Sequence, residues 1–140
     1  MNRNHRLQNV KERIVMKRIA VYQRGHVTEE EKQAMTEFIS SIPGASVVHT
    51  YWDHDGSDRA EYLAMLAAAR EGDVDAIVSQ SICRLAPSSA ECLRVIRNLH
   101  EHGVRVWFSK ERFWSTDLTG RIMMAIIQEL AGTTPSFAVL

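Results

Sequence analysis

Short apolar segments alternate with amphipathic segments along most of the chain, and this alternation is what most restricts its fold. Four apolar segments of strand length lie at residues 18–22, 45–52, 74–79 and 104–108. Segments with apolar residues at helical spacing separate them, and another follows the last. Strands that alternate with helices through short connections make right-handed crossovers, which leave the strands parallel and both faces covered. The pattern predicts an α/β domain with a parallel sheet of about four core strands in a three-layer αβα arrangement.

Local patterns refine this prediction. Thr28 followed by Glu31 has the spacing of a capping box, which predicts that the first helix begins there, and Pro43-Gly44 ends it. We expect Cys83 to fill a partly buried turn rather than to act as a nucleophile. The side chains that we assign to the core or to edge packing include Val47, Val48, Tyr51, Tyr62, Leu63, Met65, Leu66, Ala69, Trp107, Phe108, Phe113 and Trp114.

Composition excludes several classes of protein. The chain has 140 residues, of which 45% are hydrophobic, enough for one domain with one core. No apolar run approaches the ~18 residues of a membrane span, and no signal-peptide pattern is present, so we expect a cytoplasmic protein without a membrane partner. Cysteines and histidines lack metal-ligand or disulfide spacing, so no metal or cofactor is predicted. We divide the chain into a basic, disordered extension (1–16), a folded domain (17–132) and a short tail (133–140).

Charge is distributed unevenly along the chain. The net charge is zero, yet residues 1–24 carry +6, residues 25–75 carry −8 and residues 76–140 carry +2. A basic first segment suits contact with phosphate, whereas a neutral domain lacks the field that drives non-specific affinity for DNA. If DNA is the partner, we expect much of the affinity to come from elsewhere.

Polar side chains follow the ends of three predicted strands. Arg24, Asp53 and Arg84 each come just after such an end. Ligands of a doubly wound sheet bind beyond the carboxyl ends of its strands, so these three residues share the edge where a ligand is expected. The residues alone therefore predict an α/β domain with an arginine-bearing edge.

Several motifs occur in an order that resembles a known family over residues 17–131. Tyr22-Gln23-Arg24-Gly25-His26 is similar to a Y-x-R-x-S motif at the end of a first strand. The loop from Asp53 through Gly56-Ser57 to Arg59 is similar to an acidic loop that ends in a phosphate-binding arginine. Ser81-Ile82-Cys83-Arg84-Leu85-Ala86 is similar to an S/D-R-L-x-R segment. Together these motifs resemble the catalytic domain of the serine recombinases, which include resolvases and invertases.

The resemblance implies a site for phosphodiester chemistry. In the family a serine attacks a DNA phosphate and forms a 5′-phosphoserine, while arginines bind the phosphate oxygens as charge develops. The resemblance assigns the arginine roles to Arg24, Arg59 and Arg84 and supporting roles to Tyr22, Asp53 and Ser57. It also implies a resolvase-like fold whose last helix, predicted from Leu118 or Gly120 to Ala131, is a dimer interface.

The chain departs from the family at positions that carry the chemistry. His26 occupies the position of the nucleophilic serine, and no serine precedes Ser40. Pro87 stands at the second arginine of S/D-R-L-x-R, and Thr134 and Pro135 stand where the last helix has a Glu-Arg pair. Losing the nucleophile of a covalent mechanism removes most of its rate. We therefore predict a degenerate domain, derived from a mobile element, that no longer cuts DNA.

Three functions follow from these observations. The first is a catalytically inactive serine-recombinase-like domain that contacts the DNA backbone and associates with itself or with an intact recombinase. The second is an active recombinase module whose nucleophile is Thr28, or His26 through a phosphoramidate. The third is an α/β protein-interaction domain whose arginine edge binds no phosphate.

Overall fold

A computed structural model describes residues 16–131; nearly all of the predicted extension and the whole tail lie outside the described residues. The elements in chain order are β1 (Arg18–Arg24), α1 (Glu29–Ser40), β2 (Ser46–Asp53), α2 (Ala60–Arg70), β3 (Ala76–Ser79), α3 (Ile82–Leu85), α4 (Ser89–Glu101), β4 (Arg105–Phe108), β5 (Phe113–Trp114) and α5 (Leu118–Ala131). None of these helices is long and apolar enough to cross a membrane.

The strands form one sheet in the order β2-β1-β3-β4-β5. The first four are parallel, which confirms the predicted parallel α/β sheet. β5 was not predicted; it pairs antiparallel with β4, Trp107 opposite Trp114 and Phe108 opposite Phe113. Two residues are too few to show a period of two, so the sequence pattern gives no sign of this strand.

Alternate residues of β1 face two separate cores, which gives the three layers. Ile19 and Val21 pack on the α1 side, together with Met35 and Ile39 of that helix. Ala20 and Tyr22 pack on the other side; its buried residues include Tyr62, Met65, Ile96, Leu99 and Ile127, from α2, α4 and α5. Burial of one such large apolar side chain contributes about 1.5–3 kcal/mol, so both faces hold the sheet in place.

The capping box predicted at the start of α1 is present. The Thr28 hydroxyl accepts a hydrogen bond from the backbone N–H of Glu31 (3.1 Å), and the Glu31 carboxylate accepts from the backbone N–H of Thr28 (2.9 Å). The helix begins with three glutamates, which suit the positive end of its dipole.

Several burial predictions are wrong. Val47 and Val48 are 47% and 46% exposed, because β2 is an edge strand paired only with β1, and only Tyr51 and Asp53 near its end are buried. Leu63 on α2 is also exposed, and Cys83 lies exposed in the helical turn α3 rather than in a partly buried turn.

The last helix lies where the sequence predicts it, and one glycine explains its close approach to the sheet. A β-carbon on Gly120 would lie 2.0 Å from the carbonyl oxygen of Trp114, far inside van der Waals contact. Only glycine therefore fits between α5 and β5, and this contact fixes the position of the first turn of α5.

Candidate functional site

Tyr22 and Asp53 form a buried pair at the carboxyl ends of β1 and β2. The Tyr22 hydroxyl donates to Asp53 Oδ2 (2.9 Å), and the backbone N–H groups of Glu61 and Tyr62 donate to the same carboxylate at 3.0 and 2.9 Å. Asp53 therefore caps α2 and binds Tyr22 at once. Burial, with the hydrogen bond to Asp53, raises the pKa of Tyr22, so the phenol keeps its proton. This pair orders the strand ends beside the arginines.

Arg24 lies half-buried at the end of β1. Its Nη2 atom donates to the carbonyl oxygen of Cys83 (2.9 Å), the residue directly before Arg84. Its Nε atom is buried and has no hydrogen-bond partner among the described residues. Arg24 therefore joins β1 to the helical turn α3 and keeps a buried donor unused.

Arg84 reaches the same strand end through Gly25. Arg84 Nη1 lies 3.3 Å from Asp55 Oδ1. Gly25 has φ +71°, and a β-carbon there would lie 2.4 Å from Asp55 Oδ2 and 2.9 Å from Arg84 Nη1. Glycine at this position is what allows the Arg84–Asp55 pair to pack against the backbone that follows Arg24.

Arg59 lies directly before α2, over the ring of Tyr62. It precedes α2 with φ 62°, and its guanidinium carbon lies 4.2 Å from the centre of the Tyr62 ring. Its Nη2 atom forms an ion pair with Oε2 of Glu91 in the first turn of α4. Burial opposes the charge on Arg59, but the bond to Glu91 outweighs it and raises the pKa of the guanidinium. The charges of Arg24 and Arg59 both lower the pKa of Tyr22, against the larger effect of burial.

Gln80 is a residue of this edge that the sequence pattern does not single out. Its buried side chain accepts from the backbone N–H of Arg24 (3.2 Å) and donates to the His26 carbonyl and to Glu31 Oε2, both at 3.0 Å. Burial opposes ionisation of Glu31, but the hydrogen bonds from Thr28 and Gln80 outweigh it and lower the pKa of that carboxyl. Gln80 thus fixes the loop between β1 and α1.

His26 lies on that loop with its side chain exposed to solvent. Among the described residues nothing accepts from or donates to its imidazole. The nearby hydroxyls serve the backbone: the Thr28 hydroxyl accepts from Glu31 N–H, and that of Ser57, on the loop before α2, accepts from Arg59 N–H (3.3 Å). Within residues 16–131 no group of three or more histidine, cysteine, aspartate or glutamate side chains is placed to hold a metal ion.

The structure places Arg24 and Arg84 beside Gly25, and it places Arg59 beside Tyr62 at the start of α2. It also pairs two of the three arginines internally. Arg59 and Arg84 each bind a carboxylate, from Glu91 and Asp55 respectively. The sequence did not predict these partners, because Glu91 is distant in sequence and only the packing of α4 beside α2 brings it to Arg59. The edge offers fixed guanidiniums to an anion that competes with these carboxylates.

Comparisons with known proteins agree with this architecture. The family model described as "Resolvase, N terminal domain" matches residues 14–134. The fold is similar to the N-terminal catalytic domain of TP901-1 integrase, with a TM-score of 0.69 and 17% identity over 81% of this chain and 93% of that one. It is also similar to a resolvase family site-specific recombinase from Streptococcus pneumoniae, with a TM-score of 0.69 and 18% identity over 83% of this chain and 86% of that one. No curated protein sequence matches the chain.

Proposed function

Since this chain belongs to the resolvase N-terminal domain family, we propose that it is a recombinase-type domain that contacts the DNA backbone but no longer cuts it. The observation that carries the proposal is His26. It occupies the position of the family's nucleophilic serine, on a loop whose geometry Gln80 and the α1 cap maintain. The fold of the site is kept while the hydroxyl that would form the covalent bond to phosphate is missing.

The other losses support inactivity. Pro87 replaces an arginine of the family pattern, and a guanidinium that stabilises the transition state contributes roughly 10²–10³-fold to a rate when it is comparable to an oxyanion-hole donor. Thr134 and Pro135, at the positions of the Glu-Arg pair, lie outside the described residues. The Thr28 hydroxyl caps α1, which argues against its use as a nucleophile.

Three features favour contact with a phosphate at the arginine edge. Among the described residues Arg24 has no carboxylate partner, and its Nη2 atom donates only to the Cys83 carbonyl. Within residues 16–131 the Arg84 side chain is bound by Asp55 alone, whose side chain is 68% exposed, and such surface pairs contribute about 0–1 kcal/mol. Arg59 is oriented by Tyr62 and by its position before α2. The internal ion pairs themselves favour a second candidate, an interaction domain whose arginines only stabilise the fold.

A dimer is the proposed assembly, through α5. Leu118, Ile122, Ile126 and Leu130 recur every four residues on this helix and are 74%, 55%, 45% and 43% exposed. A contiguous apolar stripe on a surface helix is typical of an interface. A second copy of this domain, or the matching helix of an intact recombinase, would cover it. Ile126→Asp should convert a dimer into a monomer in sedimentation velocity. A variant with the same mass in solution as the natural chain would exclude this stripe as the dimer interface.

Cleavage is tested on supercoiled DNA. The protein is mixed with plasmid, quenched with denaturant, and protein-linked 5′ ends are measured for the natural chain and for His26→Ser. We expect no adduct from either, because the serine alone does not replace the arginine missing at Pro87. A protein-linked 5′ end from the natural chain that Arg24→Ala abolishes would overturn the proposed inactivity. An adduct from His26→Ser alone would show instead that the loss at Pro87 does not prevent cleavage.

Backbone contact is tested separately with a fluorescent duplex at low ionic strength. The slope of log affinity against log salt concentration should be roughly −2 when Arg24 and Arg84 bind phosphate, and roughly −3 when Arg59 joins them. Arg24→Gln should weaken binding, while Arg70→Gln, at the far end of α2, should not. Absence of binding at every salt concentration would favour the interaction domain instead. The expected place of action is the cytoplasm.

A further inference from the structure

A groove of about 340 Å³ opens between α4 and α5 beside the end of β5. None of the described residues that line it belongs to the arginine edge. Its volume is at the lower end of the range for ligand sites, about 300–1,000 Å³. The groove is therefore a separate candidate site of a size that suits a small molecule.

The groove combines an apolar floor with uncompensated positive charge. Leu93, Ile96 and Met124 supply apolar lining, while Arg97 and Arg121 line the two sides. None of the described lining residues is acidic. Arg97 Nη2 donates to the neutral amide oxygen of Gln128 across the groove (3.2 Å). Neither arginine forms an ion pair with a described residue, so the groove favours an anion.

A third group adds polarity without negative charge. The imidazole of His100 lines the groove, and its Nε2 lies 2.8 Å from the Ser115 hydroxyl oxygen. Burial lowers the pKa of His100, so the ring is neutral near pH 7. The hydrogen bond to Ser115 fixes the orientation of the ring, and the groove has a preformed wall.

We propose that this groove binds a small organic anion, with an apolar ring or chain against Leu93 and Ile96 and one carboxylate or sulfonate between Arg97 and Arg121. A second copy of the chain fits these charges less well. The stripe proposed for association consists of Leu118, Ile122, Ile126 and Leu130 and is apolar, and Glu129, the acidic residue of α5, does not line the groove.

The test compares two fluorescent probes that share an apolar body. Anilinonaphthalene sulfonate carries the anionic head, and phenylnaphthylamine lacks it. We expect saturable binding of one sulfonate probe per chain to the folded protein, and binding at least about tenfold weaker for the uncharged probe. Arg121→Gln should weaken the sulfonate about tenfold, since a hydrogen bond to a charged group has roughly this effect on affinity.

Arg94→Gln is the matched control, because Arg94 is exposed on α4 but does not line the groove. It should leave the affinity for the sulfonate unchanged. Ala125→Trp, which fills the groove, should abolish binding of both probes. Equal binding of the two probes, equal losses in Arg94→Gln and Arg121→Gln, or retained binding in Ala125→Trp would overturn the proposal. One probe per two chains would assign the groove to a second copy and overturn it as well.

Discussion

The ion pair between Arg59 and Glu91 makes the sharpest prediction about the arginine edge. Glu91→Gln keeps the shape of the side chain and removes its charge. Both side chains are about three-quarters buried, with 28% and 25% exposed. A hydrogen bond to a charged group contributes about 1.5–3 kcal/mol when buried, and an exposed pair contributes about 0–1 kcal/mol. Since glutamine still accepts one bond from Arg59, we expect a loss of about 1–2 kcal/mol.

The same substitution should strengthen the binding of phosphate. Two unit charges at 4 Å interact by about 1 kcal/mol in water and about 4 kcal/mol at an effective dielectric constant of 20. A phosphate would approach from solvent, so its repulsion by Glu91 lies nearer the first limit, and the loss of this repulsion corresponds to about 1–2 kcal/mol. DNA affinity should then rise roughly five- to thirtyfold. The variant is thus expected to be less stable and to bind more tightly, a combination that a simple folding defect does not produce.

Urea unfolding measures the stability, and fluorescence anisotropy of a short duplex at low ionic strength measures the affinity. Glu101→Gln is the matched control, because it makes the same change in net charge at the exposed, opposite end of α4. We expect it to change stability by less than about 0.5 kcal/mol. Equal gains in DNA affinity from both variants would show that net charge, not the release of Arg59, is responsible. Unchanged or weaker binding by Glu91→Gln would refute the reasoning.

Three other substitutions test the scaffold. Gly120→Ala places a β-carbon 2.0 Å from the Trp114 carbonyl and should cost about 1–3 kcal/mol or more; an unchanged urea midpoint would contradict this contact. Burial opposes ionisation of Asp75, but the bonds from Arg18 outweigh it and lower its pKa, so its stabilisation is lost as pH falls. The free energy of unfolding of Asp75→Asn should therefore fall less steeply below about pH 4 than that of the natural chain. An equal pH dependence of the two free energies would exclude this role of Asp75. Gln80→Leu should lower the free energy of unfolding in urea by about 1–3 kcal/mol. A loss of less than about 0.5 kcal/mol would show that the hydrogen bonds of Gln80 are dispensable.

The elements that could be predicted from the sequence are those with a period. The four parallel strands, the cap at Thr28 and the last helix all carry local signals that extend over several residues. β5 carries none, because two residues do not define an alternation. Val47 and Val48 have the residue type of a buried strand, but β2 lies at the edge of the sheet, and strand order is not encoded in its own sequence.

The residues of the candidate site also divide into those that the sequence predicts and those that only tertiary packing brings together. Arg24, Asp53 and Arg84 follow predicted strand ends and could be placed on one edge from the chain alone, whereas Tyr22 was assigned only through the family resemblance. Gln80 is buried at the end of β3 and looks like an ordinary polar residue until β1 and α1 are packed around it. Asp55 and Glu91 become partners of arginines only through the tertiary arrangement, so no spacing rule finds them.

The two internal ion pairs set unequal barriers to an incoming phosphate. Asp55 is mostly exposed and lies 3.3 Å from Arg84, so salt and solvent already weaken this pair, and a phosphate displaces it at little cost. Glu91 is mostly buried against Arg59, and separating them leaves a charge poorly solvated. A phosphate would therefore reach Arg84 and the neighbouring, half-buried Arg24 before Arg59, which would join only where the anion replaces Glu91. This order explains how a neutral chain could contact DNA weakly through two arginines while the third serves the fold.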